Sequence, residues 1–227
     1  MKKYTSLLLH LILLVIVVVE LLGRLNDNIN MEYAVKPLIM VWMATFFLTF
    51  RKKKAFTIPI LLAFFFSWTG DMFLMFSGGY ENEMFFYLGV AGFLLAQLTY
   101  IYVFSRRAET GVPGLVQRKL FWSLPFLAFV AGLFLYLLPD LEGVMKVVIL
   151  IYALSLMFMS MLALNRKHRV AHLSYILVFV GSILFLLSDS MIAINKFSVT
   201  IPEAGFWIML SYMAAQYLIT RGLTAEC

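Results

Sequence analysis

Two aspartates stand where an ionised side chain is expensive. Asp71 lies in the apolar stretch FFFSWTGDMFLM (64–75), and Asp189 in ILFLLSDSMIAINKF (183–197), which also carries Ser188, Ser190, Asn195 and Lys196. A carboxylate at bilayer depth costs roughly 2.5–3.5 kcal/mol on insertion scales, so an intramembrane acidic residue is read first as a functional group. If both face one cavity, burial and mutual repulsion favour one protonated and one ionised group, which is an acid beside a base at neutral pH. The competing reading is structural: each aspartate caps a broken helix or pairs with a buried lysine to hold helices together.

Few other residues offer chemistry. Lys36, followed by Pro37 within an apolar run, either snorkels to the membrane surface or supplies a counter-charge to an aspartate or a point charge for a ligand phosphate. Lys196 has the same two readings, with snorkelling favoured at the end of its segment, and Glu20 reads as an interfacial residue. Gln97, Tyr100, Tyr212 and Gln216 either hydrogen-bond within a bundle or line a polar pocket for a lipid headgroup. Phosphate-binding loops, the serine elbow, zinc-protease and dinucleotide motifs are all missing. A serine lipase is unsupported, because no intramembrane histidine is expected to activate a serine. His168 and His172 fall in a basic loop, and the single cysteine, Cys227, allows neither an intrachain disulfide nor a cysteine metal site, so no metal is expected.

The segments that must position these residues are membrane helices. Of 227 residues 63% are hydrophobic and 13% charged, with mean hydropathy +0.94, against about half and about a quarter in soluble domains. Cutting at charged and Gly/Pro-containing stretches leaves eight continuously apolar runs, 4–22, 33–50, 55–76, 84–104, 119–138, 143–164, 170–194 and 203–221. Each is near the ~20 residues needed to cross a bilayer, and none alternates as barrel strands do. The first follows Lys2 and Lys3 but is longer than a signal sequence and has no small-residue cleavage pattern after it, so it reads as a retained helix. The expectation is an all-α, polytopic bundle of eight transmembrane helices forming one domain over 1–227.

Fourteen of the eighteen basic residues fall on one side: Lys2 and Lys3, the four at 51–54, Arg106, Arg107, Arg118, Lys119, Arg166, Lys167, Arg169 and Arg221. The other side has Arg24, Lys36, Lys146 and Lys196 among the acidic residues Asp27, Glu32, Glu81, Glu83, Asp140, Glu142 and Glu203. This places both termini in the cytoplasm, and it explains the net charge of +6 without nucleic acid. Asp71 and Asp189 then lie towards the outer ends of the third and seventh helices. An internal echo pairs Asp71 and Ala96-Gln97 with Asp189 and Ala215-Gln216, the Asp-to-Gln separations being 26 and 27 residues. It fits a 4+4 repeat with a site at the interface of its halves.

The chain resembles the YhhN family of membrane proteins, whose animal members are lysoplasmalogenases. The resemblance rests on Lys36-Pro37-Leu38, Gly70-Asp71 with Leu74, the series Gly89, Phe93, Tyr100, the Ser188-Asp189-Ser190 run on to Lys196-Phe197, and Tyr212 with Ala215-Gln216. It implies eight helices and hydrolysis of the vinyl ether bond of a lysoplasmalogen, a lysophospholipid, giving a fatty aldehyde and a glycerophospho-headgroup. Asp71 and Asp189 would be the catalytic carboxylates. Lys36 would hold the phosphate or tune the pair, and Gln97, Tyr100, Ser188, Asn195, Tyr212 and Gln216 would be the polar groups of the substrate pocket, with no cofactor. The chain departs from the family at Gln97, where relatives often have histidine one turn before the tyrosine. The other function class open to this residue set is a small transporter or lipid-binding protein using Asp71 and Asp189 as a proton or cation site. The lysine-rich loops point to a bacterial inner membrane.

Overall fold

In hydrocarbon a backbone can satisfy its own N–H and C=O groups only by closing on itself, and each apolar run does so as a helix. The computed structural model describes residues 2–52, 55–80, 83–106, 108 and 111–225. Lys53, Lys54, Glu81, Arg107 and Cys227, which enter the orientation and cysteine arguments above, lie outside them. Among the described residues there are nine α-helices and no strand: α1 (Lys2–Leu25), α2 (Ile29–Phe50), α3 (Thr57–Tyr80), α4 (Glu83–Arg106), α5 (Leu115–Arg118), α6 (Leu124–Leu137), α7 (Met145–Asn165), α8 (His172–Phe197) and α9 (Ala204–Thr224).

Among the described residues, seven helical segments are long and apolar enough to cross a membrane by themselves: Tyr4–Leu25, Ile29–Phe50, Thr57–Gly78, Glu83–Arg106, Leu120–Asp140, Met145–Asn165 and His172–Phe197. The eighth expected run, now α9, has 21 residues but is diluted by Ser211, Gln216, Thr220 and Arg221, and it packs against α8, α1 and α2. The protein is an integral membrane protein. Local chemistry adjusts the expected boundaries. α2 starts at Ile29 because the Asn28 side chain accepts hydrogen bonds from the backbone N–H groups of Asn30 and Met31 at 3.2 and 3.3 Å, the usual cap of a helix start. The run 119–138 is not one helix. It opens as a 3-10 turn at Leu120–Ser123 and becomes α6 where Pro125 occupies the first turn, then ends in a second 3-10 turn at Leu138–Asp140 that contains Pro139.

α3 packs most extensively against α4, and α8 against α9, while α4 meets α7 and α2 meets α9 across the bundle. Missing side chains allow the α3–α4 approach. A Cβ on Gly92 would lie 2.8 Å from the backbone nitrogen of Gly70, and one on Gly70 would run into the Phe93 ring. Ring contacts of Phe76 with Tyr33 (6.1 Å) and Phe85 (5.9 Å), and of Phe86 with Phe197 (5.9 Å), bring the starts of α2 and α4 and the ends of α3 and α8 together at one end, called the first end below. Asp71 and Asp189 are nine and eight residues before the last residues of α3 and α8, hence about 12–14 Å from that end at ~1.5 Å per residue.

Candidate functional site

Asp71, 2% exposed, is held from across the bundle. The Tyr212 hydroxyl of α9 donates to its Oδ2 at 2.7 Å. One turn on, the Tyr100 hydroxyl donates to Gln216 Oε1 at 2.7 Å and Gln216 Nε2 to Ser67 Oγ at 3.1 Å, so α3, α4 and α9 are joined by a buried polar chain. Such networks persist in an apolar interior only when their members satisfy one another.

Asp189, 3% exposed, is held by α4 and α7. Its Oδ2 accepts from the Tyr152 hydroxyl at 2.5 Å and from Gln97 Nε2 at 3.0 Å. The Ser155 hydroxyl in turn donates to Gln97 Oε1, fixing the amide with its NH2 towards the carboxylate. Asp189 Oδ1 is buried with no hydrogen-bond partner. Asp189 and Tyr152 also line a cavity of about 20 Å³ for the centre of a water, with Leu74, Phe86, Phe93 and Phe197 among its apolar walls. That is room for one water. Phe93 connects the two halves: it lines this cavity and packs edge to face on Tyr212, 5.6 Å between centroids. The charge of Asp71 reaches Asp189.

A chain of charges runs from the first end to Asp71. Arg24 Nη2 pairs with Glu32 Oε2 at 2.8 Å and its Nε with Glu20 Oε1 at 3.2 Å. Lys36 is 4% exposed and lies within electrostatic reach of Asp71, Glu20 and Glu32. Of the two readings of Lys36, snorkelling does not fit its burial, and the carboxylates within electrostatic reach leave the counter-charge. Glu20 is likewise not a surface residue; it is fully buried, with Oε2 unpartnered.

Residues 31–223 match the YhhN family. The chain belongs to the YhhN family. It is also 27% identical over 164 residues to lysoplasmalogenase TMEM86A of Bos taurus, a match covering 70% of this chain and 62% of that protein, so it spans less than two thirds of the relative's length. No solved structure matches the chain.

In this YhhN protein the structure gathers most of the residues singled out from sequence into one buried region: Asp71, Asp189, Lys36, Gln97, Tyr100, Tyr212 and Gln216. Ser188 and Asn195 are engaged elsewhere. The Ser188 hydroxyl donates to the Ile208 carbonyl at 3.1 Å, tying α8 to α9, and Asn195 Oδ1 accepts from Ile201 N–H at 2.9 Å in the following turn. Lys196 is exposed, with its ammonium 5.1 Å from the Phe86 ring centroid. Tyr152, Ser155 and Ser67 escaped notice because lone hydroxyls are common in membrane helices; the spacing of Tyr152 and Ser155 on one α7 face was the available signal. The expectation of no intramembrane histidine is corrected. His10 sits inside the span Tyr4–Leu25, where its ring bonds the Ser6 carbonyl at 2.6 Å and the Tyr217 hydroxyl at 3.1 Å.

Proposed function

We propose that this protein is a membrane hydrolase that cleaves the vinyl ether bond of a lysoplasmalogen-like lysophospholipid, releasing a fatty aldehyde and a glycerophospho-headgroup. The reading is carried by two buried carboxylates, Asp71 and Asp189, of which Asp189 lines a small cavity, in a YhhN chain similar to a protein named for that activity. An enol ether hydrolyses by rate-limiting protonation of its β-carbon, giving an oxocarbenium ion that water captures. The parts required are a carboxylic acid, a carboxylate that stabilises the cation and takes the proton of water, and a site that limits water. Asp71 and Asp189 fill the first two roles, and the aromatic walls Phe86, Phe93 and Phe197 the third. Lys36 tunes Asp71 or meets the phosphate. Gln97 and Tyr212 orient the pair, Tyr100 and Gln216 extend the polar chain behind them, and Ser188 and Asn195 steady α8.

In the same reading α9 crosses the membrane, giving eight spans with both termini cytoplasmic, and α1–α4 and α6–α9 are two copies of one unit. Support comes from the reciprocal packing, α4 on α7 and α9 on α2, and from the reciprocal bonding of each aspartate by the other half: Tyr212 of α9 on Asp71, Gln97 of α4 on Asp189.

The test is aldehyde release from a lysoplasmalogen by purified protein in detergent, beside Asp71→Asn and Asp189→Asn proteins with unchanged circular dichroism. Release by the parent that both variants lose is expected. Well-folded parent protein without release, together with an ion gradient or uptake that depends on either aspartate, would replace the hydrolase by a transporter.

A further inference from the structure

The two carboxylates have opposite surroundings. Around Asp71 stand Lys36 of α2, Arg24 and Glu20 of α1, and Tyr212 of α9, so two cations reach it. Around Asp189 stand Tyr152 and Ser155 of α7, Gln97 of α4 and the charge of Asp71 from α3; among the described residues no cation reaches it. A buried carboxyl oxygen with no donor is costly to leave charged, and among the described residues Asp189 Oδ1 is such an oxygen whereas no oxygen of Asp71 is, so of the two groups Asp189 is the one to hold the proton. The hydrogen bonds say where on Asp189 that proton sits. Oδ2 accepts from two donors, Tyr152 and Gln97, which occupies it as a carbonyl oxygen. Oδ1 is buried and free of any protein partner, on a residue that lines the water-sized cavity.

We infer that Asp189 carries the proton on Oδ1 and is the acid, that Asp71 is the ionised partner, and that Tyr152 is a positioning residue that enforces this division by holding Asp189 Oδ2. Within the hydrolase reading, on which the catalytic part rests, the steps balance. The Oδ1 proton passes to the β-carbon, whose π electrons form the C–H bond, and Asp189 becomes a carboxylate facing an oxocarbenium ion. Water adds to that ion and gives its proton to Asp71, leaving a hemiacetal. As the hemiacetal collapses, Asp189 takes the hydroxyl proton and Asp71 returns one to the departing alcohol oxygen, so both groups recover their starting states.

Infrared spectroscopy of the purified full chain, in H2O and D2O at neutral pH, reads protonated carboxyl groups whether or not any substrate is turned over. The expected result is a carboxylic acid C=O band that Asp189→Asn removes, Asp71→Asn keeps and Tyr152→Phe moves to higher frequency, since the carbonyl oxygen then loses a donor. Glu20→Gln identifies any contribution of that second buried carboxyl group. A band removed by Asp71→Asn and kept by Asp189→Asn, or no band beyond that of Glu20, overturns the division. A band indifferent to Tyr152→Phe overturns the role of Tyr152. In the aldehyde assay Tyr152→Phe lowers kcat about tenfold at unchanged KM, the weight of one hydrogen bond, and Asp189→Asn lowers it about 10²–10⁴-fold, the range a positioned acid supplies. Absence of aldehyde release from the parent sinks the hydrolase reading alone; the infrared result still decides where the proton resides.

Discussion

The rings of Phe93 and Tyr212 meet edge to face with centroids 5.6 Å apart, one on α4 and one on α9, each four residues before a glutamine, Gln97 and Gln216. They link the surroundings of the two aspartates. Phe93 faces the cavity of Asp189, and the Tyr212 hydroxyl anchors Asp71. Tyr212→Phe keeps the ring contact and removes the anchor. Its expected cost is about 1–2 kcal/mol of stability, the value of an interhelical hydrogen bond in a membrane, read as a lowered thermal midpoint in detergent. Turnover falls with it, because Asp71 is then free to turn from the pair.

Lys36 and Asp71 are coupled without touching. Losing either leaves a buried charge with fewer opposing neighbours, whereas losing both removes the problem. Lys36→Met and Asp71→Asn each lower stability, and the double variant is expected to lose less than the two together, by about 0.5–3 kcal/mol of coupling. Additive losses in a thermal or denaturant series would mean that Lys36 serves something other than Asp71.

The α3–α4 seam sets the height of Asp71 relative to Gln97. A methyl on Gly92 meets the Gly70 backbone at 2.8–3.0 Å, whereas a Cβ on Gly132 of α6 meets nothing within 4 Å. Gly92→Ala is therefore expected to destabilise by about 1–3 kcal/mol as overpacking does, with turnover reduced further. Gly132→Ala leaves both unchanged. Equal thermal midpoints for the two variants would show that the seam yields freely.

What could be seen in the sequence was whatever violates the membrane's rules. Asp71, Asp189, Gln97 and Gln216 stand out because carboxylates and amides are costly in apolar runs, and the runs themselves give the helices to within a few residues. Tyr152 and Ser155 break no rule, so only the fold, by bringing α7 against α4, reveals them as the holders of Asp189 and Gln97. The two readings of Lys36 stay open in sequence for a related reason. Its burial depends on Glu20 and Asp71, which come from other helices and cannot be weighed along one segment. The 119–138 run looked continuous because hydropathy does not register that Pro125 and Pro139 bound a shorter helix, flanked by 3-10 turns.

The least apolar helix decides the topology. α9 carries Gln216, Thr220 and Arg221, yet Gln216 and Thr220 are fully buried within the bundle and Arg221 lies over the Phe46 ring at 5.6 Å. Its polar groups therefore face protein, where a membrane helix tolerates them, and α9 is expected to cross as the other long helices do. The chain's single cysteine, Cys227, follows that helix in sequence and reports the outcome directly. A membrane-impermeant thiol reagent should leave Cys227 unlabelled in intact cells and label it after permeabilisation. Glu142→Cys, at an exposed position before α7, should label in intact cells once Cys227 is replaced by serine. Labelling of both positions from outside would remove the eighth crossing and move the C-terminal end to the outer face; labelling of Cys227 alone would invert the bundle.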